Sequence, residues 1–134
     1  MRELQAARFG SLFATPVLEH LWAESSELNA QLRESILRHA GEHPGKEQTN
    51  VGGWHSDTGA LEFCGSAGAT LIRRMRDMTE EATLRLYATF SRPPEPLSWV
   101  LSAWANINQQ GAFNTMHTHP GATWSGVYYV DSGA

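Results

Sequence analysis

The chain has 134 residues, of which 41% are hydrophobic and 18% charged, and its formal net charge is −4 at pH 7. This length fits one domain over residues 1–134 with a substantial buried core. The acidic balance argues against nucleic acid as the main partner, because binding to phosphates needs a basic surface. The sequence holds no run of about 18 apolar residues, so it predicts no membrane span.

Cys64 is the sole cysteine, so an intramolecular disulfide and a thiolate zinc site are both excluded. We expect it to be a small buried side chain rather than a nucleophile. A lone cysteine also fits the reducing cytoplasm, which is the compartment we predict.

Helical spacing marks two segments in the first two thirds of the chain, after an extended arm or short strand predicted over residues 9–15. Residues 25–39 predict a helix that a serine caps and that ends before Gly41 and Pro44. Its apolar face holds Leu28, Leu32, Ile36 and Leu37. Residues 66–89 predict a second helix. Its core stripe holds Leu71, Met75, Met78, Ala82 and Leu86.

The last third of the chain changes to β character after the proline-rich residues 92–96. Alternating or β-branched segments cover residues 98–108, 112–119 and 124–130, with turns at 109–111 and 120–121. Helices followed by an antiparallel sheet predict an α+β fold. A strand as apolar as 124–130 needs neighbours, so we expect further sheet partners beyond the sequence and self-association through the exposed edge.

Two histidines, His117 and His119, lie two residues apart in the middle extended segment. Residues i and i+2 of a strand share a face, so both imidazoles can converge on one metal ion. The spacing alone is weakly specific, and rim histidines bonded to neighbours or solvent are the plain alternative. A metallo-hydrolase motif is excluded, because Gly121 and Ala122 stand where it needs Asp and His.

Amide and aromatic side chains surround this pair, as expected of a pocket for a small polar ligand. The amides are Asn106, Asn108 and Asn114, and the aromatic residues are Trp104, Trp124, Tyr128 and Tyr129. Aromatic residues in strands are equally typical of a core, so both interpretations stay open.

The chain resembles a family of 2-oxoglutarate- and Fe(II)-dependent oxygenases of bacteria and marine phages. The segments that carry the resemblance are Trp104-Ala105-Asn106-Ile107, Asn114-Thr115-Met116-His117-Thr118-His119-Pro120-Gly121, Ser125-Gly126-Val127-Tyr128-Tyr129-Val130, Asn50-Val51-Gly52-Gly53-Trp54-His55-Ser56 and Phe13-Ala14-Thr15-Pro16-Val17. The block from His117 to Val130 is the most specific of them.

The resemblance implies a double-stranded β-helix (jelly-roll) core that starts in residues 97–134 and is incomplete at the C-terminus, with an N-terminal helical part, 1–96, packed on it. It implies Fe(II) held by His117 and His119, and decarboxylation of 2-oxoglutarate coupled to hydroxylation of an unidentified substrate. Candidate contacts to 2-oxoglutarate are Asn106, Ser125 and Tyr128. The loop with Trp54 and His55 would border the substrate pocket, and Gly52-Gly53 would let it close.

Two departures from the family pattern bear on the site. No histidine follows His119 and no arginine or lysine follows Arg92, so neither the distal iron ligand nor the basic residue for 2-oxoglutarate can be assigned. His119 also stands where the wider superfamily has a carboxylate. Either His119 replaces that carboxylate as a ligand, or His119 is not a ligand itself and a carboxylate from elsewhere binds the iron. The alternatives are a cupin-like metal enzyme of another class and a non-catalytic or incomplete binding domain.

Overall fold

The computed structural model describes residues 15–89 and 96–133. Its elements, in chain order, are α1 (Ser26–Glu42), β1 (Asn50–Val51), β2 (Trp54–His55), α2 (Ala60–Phe63), α3 (Gly65–Thr89), β3 (Asn106–Ile107) and β4 (Phe113–Asn114). The arm predicted over residues 9–15 lies outside the described residues apart from Thr15. No helix in the described ranges is long and apolar enough to cross a membrane.

Helix α1 occupies the predicted segment and extends three residues further, to Glu42. Ser25 is its N-cap residue, but the hydroxyl donates to the Trp22 carbonyl and accepts from Arg74 instead of capping the helix. The prediction that Leu37 faces the core is wrong, since its side chain is 43% exposed. At 3.6 residues per turn, Leu37 lies on the opposite side of the helix from Leu28.

The core lies where the three helices meet. Its buried residues are Leu28, Leu32, Cys64, Ala67 and Leu71, and partly buried Ile36, Phe63, Met75, Tyr128 and Val130 pack against them. The predicted stripe on α3 is confirmed at Leu71 and Ala82, which are buried. Gly68 permits close packing of α2 on α3, because a Cβ there would collide with the carbonyl oxygen of Leu61.

The strands form one interrupted antiparallel ladder between residues 49–56 and 105–115. Strand β1 pairs with β4, and β2 pairs with β3. The antiparallel pairing expected in the last third of the chain is therefore, within the described residues, made with an earlier part of the chain. The partners of β3 and β4 both come from the glycine-rich segment 43–59 that connects α1 to α2. The turn at 109–112, closed by a bond from the Ala112 N–H to the Gln109 carbonyl, lies between β3 and β4.

The segment 124–131 is extended but belongs to no described ladder. Trp124, Tyr128 and Val130 point toward the helices, whereas Val127 and Tyr129 are 76% and 73% exposed. The strand predicted over residues 124–130 is therefore wrong among the described residues, where this segment pairs with no other strand. The jelly-roll core and the division at residue 96 stay predictions.

Candidate metal centre

The backbone fixes both histidines from either side. Thr115, at the end of the ladder, donates its N–H to the Thr49 carbonyl at 2.8 Å. Beyond His119, the N–H of Ala122 bonds to the His119 carbonyl at 3.1 Å, and Gly121 has a φ of 83°. This is a type II β-turn with proline and glycine at the positions that favour them, which confirms the predicted turn.

The imidazoles of His117 and His119 lie together, with ring centroids 4.7 Å apart and planes at 83°. His117 is exposed and His119 half-buried. Residues 115–119 are not a ladder strand, so the juxtaposition comes from the local chain path between the ladder and the turn. The two side chains are neighbours, as the spacing predicted.

One hydrogen bond selects the tautomer of the neutral His117 ring. Its Nδ1 lies 2.8 Å from the carbonyl oxygen of Thr115. A carbonyl only accepts, so Nδ1 carries the proton and Nε2 keeps its lone pair in the neutral ring. A metal-ligating histidine commonly bonds its other ring nitrogen in this way. The His117 ring therefore suits a metal ligand that binds through Nε2.

His117 and His119 together can provide two ligands for a metal ion. Within residues 15–89 and 96–133, no group of three or more His, Cys, Asp or Glu side chains could hold a metal ion. Asp131 is tied to α1, where its carboxylate bonds to Arg33 at 3.3 Å. The backbone N–H of Gly133 and the Arg33 side chain lower the pKa of Asp131. The pair fits iron chemically, and a facial triad needs one ligand more.

Trp104 contacts both His119 of the histidine pair and buried His55. Its ring is 5.5 Å from that of His119 at 38°, and 5.7 Å from that of His55 at 13°. His55 is 8% exposed, and its Nδ1 bonds to the Ser56 carbonyl at 2.5 Å. Sequence reasoning placed Trp104 near the site but missed the contact with His55. The register of two distant segments creates it, and no local pattern reports that register.

The three candidate contacts to 2-oxoglutarate lie in different surroundings. Asn106 is exposed and pairs with His55 in the ladder, so it shares a face with Trp104 two residues before it. Ser125 is exposed in the C-terminal segment. The hydroxyl of Tyr128 bonds to Asn29 on α1 at 2.5 Å, and its ring packs on the helical core. Asn106 is therefore the candidate that the fold brings to the face with Trp104.

The loop that joins β1 to β2 is held against its neighbours. Trp54 donates its indole N–H to the His43 carbonyl at 3.1 Å, at the end of α1. A Cβ on Gly53 would lie 3.0 Å from the Ile107 carbonyl oxygen and would collide with the Asn108 side chain, and Gly52 has a φ of 73°. The two glycines thus allow a left-handed turn and a close approach to β3. Closure of this loop over a substrate stays a prediction.

A second histidine pair lies at the end of α1. His39 stacks between His43 and Phe63, with both centroid distances at 3.9 Å. The planes of the two imidazoles differ by 13°, so their in-plane lone pairs run side by side instead of converging. In this arrangement His39 and His43 cannot share one metal ion, and they differ in that respect from His117 and His119.

One comparison with known protein families bears on this region. Residues 102–134 match the model of a family described as "Putative 2OG-Fe(II) oxygenase", and the match contains both histidines and Trp104. The resemblance drawn from the sequence is thereby confirmed over this segment. No curated protein and no solved structure matches the chain.

Proposed function

We propose that this chain carries part of the active site of a 2-oxoglutarate- and Fe(II)-dependent oxygenase, with His117 and His119 as two of the iron ligands. The observation that carries the proposal is the coincidence of two independent facts at one place. The family match covers both histidines, and their rings lie 4.7 Å apart.

The polar contacts around the pair support the same assignment. His117 donates from Nδ1 to Thr115 and so offers Nε2 to the metal. His119 offers a second imidazole from the first position of a rigid turn. Bound Fe(II) and 2-oxoglutarate would supply oxidation of a substrate C–H bond by dioxygen. Asn106, on the face that holds Trp104, would donate an amide N–H to a carboxylate oxygen of the co-substrate.

Calorimetric titration with Co(II), a stand-in for Fe(II) that tolerates air, tests the metal assignment. We expect one ion per chain for the natural sequence, and loss of that heat in His117→Ala and in His119→Ala. His43→Ala is the matched control, because His43 also bonds its Nδ1 to a backbone carbonyl and is exposed. It should bind Co(II) as the natural chain does. Absence of binding in the natural chain, or unchanged binding in His117→Ala, would sink the proposal.

The second candidate is a cupin-like metal enzyme that does not use 2-oxoglutarate. The observation in its favour is an imidazole, His119, where the oxygenase superfamily usually has a carboxylate. A repeat of the Co(II) titration with 2-oxoglutarate present separates the two. An oxygenase site binds the metal more tightly with its chelating co-substrate, by the reciprocity of linked binding. An unchanged affinity would favour the cupin-like enzyme.

A further inference from the structure

Three aromatic side chains form a row from the interior of the fold to the candidate metal centre. His55 is buried and Trp104 half-buried, and the Trp104 ring lies 5.7 Å from that of His55 and 5.5 Å from that of His119. The almost parallel planes of His55 and Trp104, 13° apart, are those of a stacked pair. The row links the ladder to one of the two proposed ligands.

The inner end of this row is firmly held. Ser56, next to His55, is 1% exposed, and its hydroxyl accepts the N–H of Ala105 at 2.9 Å. The N–H of Ser56 in turn bonds to the Ala105 carbonyl at 2.9 Å. The backbone next to Trp104 is therefore fixed by two hydrogen bonds between Ala105 and buried Ser56. The ring of Trp104 stacks on the ring of buried His55.

The outer end is held by ring contacts. Within the described residues, the His119 imidazole has no hydrogen-bond partner, in contrast to His117 with its bond to Thr115. The rings that touch it are those of Trp104 and His117. Metal ligands need an oriented ring, and a hydrogen bond from the non-ligating nitrogen usually supplies that orientation. At His119, Trp104 is the group placed to supply it.

We propose that Trp104 is a positioning residue for His119, and that its indole, braced by His55, holds the imidazole in the orientation that binds a divalent first-row metal ion beside His117. The inference rests on the proposed metal site and assigns to Trp104 a role that acts through His119. Trp104 itself offers no metal-binding atom, because its indole nitrogen is only a donor.

Two substitutions of Trp104 separate positioning from simple packing. Trp104→Phe keeps a flat ring beside His119, whereas Trp104→Leu keeps apolar bulk without a flat face. We expect the dissociation constant for Co(II) to rise about tenfold in Trp104→Leu, at the lower end of the range for groups that orient a ligand. Trp104→Phe should stay within about threefold of the natural chain. Trp124→Phe is the control, because that indole bonds to Thr83 on α3, away from the row.

A double-substitution cycle tests the part of His55. His55→Ala should weaken Co(II) binding when Trp104 is present, and should add little in the Trp104→Leu background, because the bracing acts through the indole. Nitrogen chemical shifts of the His119 ring give a second measurement that is independent of activity. They should broaden or move in Trp104→Leu and stay unchanged in Trp124→Phe.

The outcomes distinguish this inference from the proposed function. If the natural chain binds no Co(II), the metal site itself is refuted and the positioning role with it. If it binds and Trp104→Leu binds equally tightly, the metal site stands and the positioning role is overturned. Equal weakening in Leu and Phe variants would also overturn it, since a flat ring would then have no special effect. If His55→Ala weakens Co(II) binding equally in the natural chain and in Trp104→Leu, the proposal that His55 acts through the Trp104 indole is refuted.

Discussion

At His117, the carbonyl of Thr115 decides which ring nitrogen can meet a metal ion. The two-residue spacing of the histidines predicted that their rings would lie together. It could not predict the tautomer, because that depends on where the Thr115 carbonyl points after the ladder ends. The contact of His119 with Trp104 was equally unpredictable from the sequence, because it depends on how the folded chain brings these two residues together.

Cys64 illustrates a residue whose burial the sequence predicted correctly. It is buried in the core cluster, and that burial raises the pKa of its thiol, with a smaller opposing effect from Arg38. We expect the native protein to resist a disulfide-exchange reagent at neutral pH, because the reactive thiolate is both scarce and inaccessible. Full reaction after unfolding in urea is the control. Rapid reaction of the folded chain would contradict the buried assignment.

The same thiol makes stability depend on pH in a defined direction. Its pKa is raised in the folded state, so its contribution to stability is complete below the ordinary thiol pKa of about 8.5 and falls as pH rises toward the folded value. Cys64→Ala removes this dependence. Urea unfolding on both sides of that pH should therefore show a steeper alkaline loss for the natural chain than for the variant.

Among the elements, the two long helices could be predicted from their own residues, whereas the pairing of the strands could not. The apolar spacing along α1 and α3 depends on neighbouring turns of one helix, so a local pattern reports it. The ladder joins residues 50–55 to residues 106–114, which are more than 50 positions apart in the chain. Alternation predicted which side chains share a face, but a face does not specify the partner strand.

The glycine pair before β2 tests how closely the ladder is packed. Gly53→Ala should destabilise the protein by about 1–3 kcal/mol, because the added methyl would lie only 3.0 Å from the backbone carbonyl oxygen of Ile107 and would displace the Asn108 side chain. Gly41→Ala is the matched control. A methyl group at Gly41 would have no neighbouring atom within 4 Å, and the residue falls inside α1, so stability should rise by up to about 1 kcal/mol.

Urea unfolding measures both variants. A Gly53→Ala protein as stable as the natural chain would mean that the loop can move away from β3, which would favour the closing loop predicted from the sequence. A destabilised Gly53→Ala together with a neutral or stabilised Gly41→Ala would confirm that the turn is fixed by close packing.

For the molecule as a whole, the C-terminal segment joins the helices to the site region. Trp124 bonds to Thr83 on α3 at 2.9 Å, and Tyr128 bonds to Asn29 on α1. One face of this extended segment is thereby covered. The other face carries exposed Val127 and Tyr129, and no described strand pairs with its edges.

An extended apolar segment of this kind favours association with another copy of the chain. We predict that the apparent mass rises with concentration in sedimentation equilibrium, and that Val127→Lys with Tyr129→Lys suppresses the rise. Leu21→Lys is the control, because Leu21 is 88% exposed in a different part of the chain. A monomer at all concentrations, or suppression by the Leu21 variant alone, would argue against association through this segment.

The central claim is that His117 and His119 bind one metal ion together, and X-ray absorption of the Fe(II)-loaded protein tests it most directly. Multiple scattering from imidazole rings counts the histidine ligands without any assay of activity. We predict two imidazoles on the iron of the natural chain, and one in His119→Ala if the ion is retained. Two imidazoles in both proteins would contradict His119 as a ligand, and none in the natural chain would contradict the metal site.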